Sequence, residues 1–170
     1  MNVDRLISML ESFPPMLRAS VQGLTESEIR WKPESGAWSV LEIVCHVADE
    51  EIEDFRPRVL GTLADPSKPW SPIDPEGVAV QRGYNEQQLS ERIDQFDQER
   101  SRSVELLRSL ADPEWEQAYE HFQFGPIRAG DVMLSWVAHD MLHLRQIAKR
   151  RFELAAVAGS GFDTSYAGSL

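Results

Sequence analysis

Two histidines four residues apart, in the string His139-Asp140-Met141-Leu142-His143, carry the most specific chemistry in this chain. The run from Asp131 to Phe152 has helical periodicity, and positions i and i+4 of a helix differ by roughly 40° around the axis and one turn along it. The two imidazoles therefore lean the same way and can share one ion at the ~2.0–2.1 Å typical of Zn–N bonds. A third histidine, His46, falls in another apolar helical segment well upstream. A three-histidine site for a divalent ion is the expectation that follows. His121, in YEHFQFGP, has no helical partner and reads as a loop residue.

Each of these residues also has a plainer reading. On a helical wheel His46 points away from the main apolar stripe, towards Ile43, Asp49, Glu50 and Glu53. A solvated histidine among acids and a ligand facing a wet pocket would both look like this. HDMLH invites comparison with the zinc-protease string H-E-x-x-H. Asp140 is one methylene too short for that role, however, and few residues follow His143 to supply a distant third ligand. At ~80° from the mean histidine direction, Asp140 is expected to be an exposed or interface carboxylate. The lone Cys45 points ~100° from its neighbour His46 and reads as a small buried side chain. Arg100 sits in the middle of an apolar stripe, either in a structural ion pair or as an anion-binding group facing a pocket.

Four helical stretches must position these groups. The first, about Val3 to Gln22, carries Leu6, Leu10, Phe13, Leu17 and Val21 on one stripe, with Pro14-Pro15 predicting a kink or restart. The second opens at Trp38-Ser39, where Ser39 and Glu42 form a capping box, and kinks or ends at Pro57. A long Pro/Gly/Asp-rich connection, about Gly61 to Asn85, leads to a third helix, Glu86 to Leu110, the most exposed by its single stripe. The fourth, Asp131 to Phe152, shows two apolar faces, which implies burial on most sides and predicts a homodimer. No strand alternation stands out. The chain reads as a single all-α domain over residues 1–170: a four-helix bundle with one long crossover connection. The tail after Ala155, rich in small residues, is expected to dock on another surface.

Charge and composition narrow the partners. A net charge of −11 argues against nucleic acid, which needs a basic surface. No apolar run approaches a membrane span, and the N-terminus MNVDRL lacks a secretory pattern. A single cysteine suits a reducing cytoplasm. A small-molecule substrate is the partner that remains.

The block LTESEIRWKPESGAWSVLEIVCHVADEE carries a W-S-x-x-E-x-x-x-H-x-x-D pattern, and FGPIRAGDVMLSWVAHDMLHLRQI carries H-x-x-x-H-x-x-Q after a glycine-containing approach. Together, in this order, they resemble the DinB-like superfamily, especially its YfiT-like and bacillithiol S-transferase branch, from Leu24 to Ile147. The resemblance implies a four-helix bundle with a crossover, often dimeric, with an open Zn or Ni site on His46, His139 and His143. One departure is Arg128, where relatives commonly place Thr or Ser as the cap of the last helix. For function the resemblance favours a metal-activated low-molecular-weight thiol transferred to a small electrophile. Arg100 and Arg82 would be counter-charges for an anionic thiol. Metal-dependent hydrolysis of a small ester or amide is the alternative, and a non-catalytic metal-binding or stress-response role is the third. Glu50, one turn beyond His46, is the candidate proton acceptor, or else a hydrogen-bond partner of a ligand imidazole.

Overall fold

The computed structural model describes residues 1–168. Helix α1 (Val3–Val21) starts on the Asn2 side chain, which accepts from the Arg5 amide, and stays helical through Pro14 and Pro15. A short α2 (Glu26–Arg30) follows, with a capping box between Thr25 and Glu28. Helix α3 (Val40–Glu50) begins at the Ser39–Glu42 box read from the sequence. It runs through a π-helical turn, Glu51–Phe55, into α4 (Arg56–Ala64). Pro57 has no amide hydrogen to offer the carbonyl one turn back and would clash with it, which a widened turn relieves. That turn also directs Glu51, Asp54 and Phe55 inwards, where all three are buried.

The long connection after α4 carries helix α5 (Pro75–Gln81), capped by Asp74, and a 3₁₀ turn at Tyr84–Glu86. Helix α6 (Leu89–Ser109) leads to a hairpin of β1 (Ala118–His121) and β2 (Gly125–Arg128), paired antiparallel with Ala118 opposite Arg128. The hairpin contradicts the strand-free reading and moves His121 from a loop to a strand end. At the start of α7 (Ala129–Ala158) Arg128 takes the cap position. Arginine has no acceptor atom, so the cap is one-sided: Asp131 accepts from the Arg128 amide and guanidinium.

α1 packs on α6 and α7, and the α3–α4 unit packs on the same two helices. The first and second long helices are thus diagonal in the bundle, as are the third and fourth. The fold is the expected four-helix bundle, with the hairpin added. The core has two apolar halves, one around Phe13, Leu17, Val44, Phe96 and Ile147, the other around Leu10, Phe55, Leu107, Met133 and Trp136. Arg100 joins them. Its guanidinium lies over Phe96 on one side and Trp136 on the other, 4.8 and 5.6 Å from the ring centres. Past α7 the described tail, up to residue 168, leaves its large side chains Phe162 and Tyr166 in solvent, against the docking expected of it.

Candidate metal centre

His46 projects from α3, and His139 and His143 project from adjacent turns of α7. The three side chains converge. His139 Nε2 lies 2.9 Å from His143 Nε2 and 3.3 Å from His46 Nε2, and one ligand atom from each ring falls within 4.8 Å of the others. Nitrogens ligating one ion at ~2.1 Å in tetrahedral or octahedral geometry stand roughly 3.0–3.4 Å apart, so the spacing fits a shared ion. Among the described residues, no other polar group lies within hydrogen-bond range of these Nε2 atoms.

The far side of each ring matters as much. Gln146 Oε1 accepts from His143 Nδ1 at 2.8 Å, which puts the proton on Nδ1 and frees the Nε2 lone pair. Glu50 Oε1 stands 3.6 Å from His46 Nδ1, beyond hydrogen-bond length. Trp38 leans on His46 and Phe55 on His139, with ring centres 4.8 and 4.7 Å apart. Burial, aided by the neighbouring His143, pushes His46 down to about 3. Burial with His143, His46 and Arg100 pushes His139 down to about 2, and burial lowers His143. All three are therefore neutral at physiological pH, the protonation state a metal requires.

Glu50 lines the Nδ1 side of His46, away from the converging Nε2 atoms. Burial and the nearby Asp54 carboxyl push it up to about 8.

The arginines are elsewhere. Arg100 is 1% exposed, and its donors go to Glu51, to both oxygens of Asp140 and to the Leu10 carbonyl. It cannot serve as the anion-binding group of a pocket, because reaching one would strip two buried carboxylates of their partner. Asp140, expected at the surface, is buried in this pairing, and burial pushes it up to about 6 despite Arg100. Arg82 is held by Asp49 and Glu53. Cys45 is fully buried beside the Tyr84 carbonyl, and burial pushes its thiol up to about 12. Gln146 is the site residue whose role went unassigned in the sequence, although its i+3 spacing from His143 was a usable signal.

A match to the DinB superfamily covers residues 9–147. The chain belongs to the DinB superfamily. A protein of Oceanobacillus iheyensis is 22% identical over 152 residues, 88% of this chain and 87% of that protein. YfiT of Bacillus subtilis is 22% identical over 151 residues, 86% of this chain and 84% of YfiT. Both carry the provisional name of metal-dependent hydrolase. The solved structure of YfiT, described as a four-helix bundle of unusual topology, superposes with a TM-score of 0.81 at 21% identity, over 90% of this chain and 87% of that one. This DinB-superfamily chain thus shares the YfiT fold.

Proposed function

We propose that this DinB-superfamily protein is a metal-dependent hydrolase of a small ester or amide, holding a divalent ion, Zn or Ni, on His46, His139 and His143. The observation that carries the reading is the meeting of three neutral imidazoles with their Nε2 atoms 2.9 and 3.3 Å apart and no donor between them. When bound, such an ion supplies Lewis acidity at full +2 charge with open positions, lowering the pKa of a coordinated water or thiol and polarising an oxygen. The chain's own part is to orient and to shield. Gln146 fixes the ring of His143, Glu50 biases that of His46, and Trp38 and Phe55 keep water from the flanks of the site. The names of the curated relatives support the hydrolase assignment.

Thiol S-transfer is the second reading, favoured by the resemblance in the two motif blocks. The same charge would stabilise a thiolate. A large anionic thiol also needs counter-charges, and both arginines that sequence offered are committed to carboxylates. That tips the balance to hydrolysis. The reading also includes a cytoplasmic homodimer built on α7, whose Leu134, Met141 and Leu142 remain exposed.

The test pairs metal analysis of the purified protein with two assays: cleavage of nitrophenyl esters and anilides, and thiol consumption with an electrophile. Metal-dependent cleavage that disappears in His139→Ala is the expected result. Thiol consumption without cleavage would transfer the assignment to S-transfer, and inactivity in both arms would leave a metal-binding role.

A further inference from the structure

One face of α7 is left uncovered by the bundle. Ile147 is fully buried, and Ala138, about 180° round the helix from it, is exposed. Leu134, Ser135, Met141, Leu142 and Arg145 surround Ala138 and are exposed with it. A lone exposed leucine is ordinary on a protein surface, whereas three large apolar side chains together on one helix face mark a contact.

The face has a centre and a symmetry. Asp131, Ala138 and Arg145 are evenly spaced at one heptad and lie along one line of the helix, drifting by about 20° a step. Leu134 and Leu142 flank Ala138 one turn to either side, about 40° left and right of that line. Turning a second α7 end for end about an axis through Ala138 sets each residue opposite the one equally far on the other side of Ala138. Leu134 then meets the partner's Leu142, Ser135 meets the partner's Met141, and Asp131 meets the partner's Arg145. The two small Ala138 side chains sit on the axis, where the helices come closest. Charge decides the direction. A parallel pair would set Arg145 on its own copy and Asp131 on its own copy, whereas the antiparallel pair makes two contacts of opposite charge. Arg145 makes no ion pair among the described residues, since the nearby acids are taken, Asp140 by Arg100 and Glu153 by Lys149 and Arg150. Asp131, held by Arg128, is still 42% exposed and can accept from a second cation.

We propose that two copies of this chain pair through α7, antiparallel about Ala138. The pairing rests on the homodimer reading given above and is independent of the assignment of the reaction. The partner's helix then forms one lip of the approach to the ion, because His139, the one ligand of the three that is part-exposed, borders this face beside Ser135 and Leu142.

Light scattering and cross-linking of the full chain test it. The mass should be twice the 19.3 kDa of one chain. Ala138→Cys, treated with a short bismaleimide, should give a covalent dimer in high yield, since its two thiols meet on the axis. Ala148→Cys, exposed on the same helix, should give almost none, because its two copies stand about 30 Å apart at 1.5 Å of rise per residue. Wild type is the blank, Cys45 being fully buried. Leu134→Glu sets a charge against the partner's Leu142 and should weaken association at least about tenfold, with helicity by circular dichroism unchanged. The mass of a single chain would overturn both the homodimer and this pairing. A dimer that links in Ala148→Cys, fails to link in Ala138→Cys, or tolerates Leu134→Glu would overturn the pairing alone.

Discussion

Two polar clusters lie side by side in the bundle, joined through His139 and Asp140, and they are built to opposite rules. Around Arg100 donors meet acceptors: Glu51 takes the guanidinium and the Trp136 indole N–H, and Asp140 takes a two-point contact. Around His139 three acceptor nitrogens face one another with nothing donating to them. A buried cluster that supplies its own counter-charges is architecture, because opening it costs more than any ligand would return. A buried cluster that supplies only lone pairs is incomplete without a cation. Burial alone does not separate the two, since both lie inside. The balance of donors and acceptors does.

Breaking the first cluster should have the largest effect. Arg100→Met strands two carboxylates and should cost about 3–5 kcal/mol in chemical denaturation, whether or not metal is present. If the cost is under 1 kcal/mol, the cluster is not the closed unit described here.

The histidine cluster should reveal itself through pH. The unfolded chain protonates each histidine near 6.5. In the folded chain this waits until about 3 at His46 and about 2 at His139. Metal-free protein therefore has this contribution in full above pH 6.5 and loses it as pH falls, by about 1 kcal/mol per histidine at pH 5.5. Glu50 and Asp140, both raised, act in the opposite sense, gaining stability towards low pH. The contrast between wild type and His46→Gln isolates the histidine part. Parallel stability curves for the two proteins between pH 7 and 5 would refute it.

A smaller effect separates the ligands from their supports. Gln146→Leu should weaken metal binding roughly 10–100-fold by releasing the His143 ring, with stability within about 1 kcal/mol of wild type. Unchanged affinity would mean that the 2.8 Å contact to Nδ1 does not orient the ligand.

How much of this was legible in the sequence follows the range of each interaction. The i,i+4 histidine pair and the Ser39–Glu42 box are local and could be read directly. His46 was set with the pair from its apolar helical segment, although its wheel position fitted a solvated residue equally well, and the motif blocks then favoured the ligand reading. Asp140 was misplaced for a related reason: a wheel angle gives direction but not what waits there, and its partner Arg100 comes from another helix. Arg100 admitted both a structural and a ligand-binding role until Glu51 was turned inward by the π turn, which periodicity at 3.6 residues cannot foresee. The hairpin escaped because four-residue strands are too short for alternation to register.

Metal titration bears most directly on the central claim. Chelator-treated protein, titrated calorimetrically with Zn²⁺ and Ni²⁺, should take up one ion per chain, and His139→Ala, still helical by circular dichroism, should take up none. Wild type binding no more metal than His139→Ala would contradict the account.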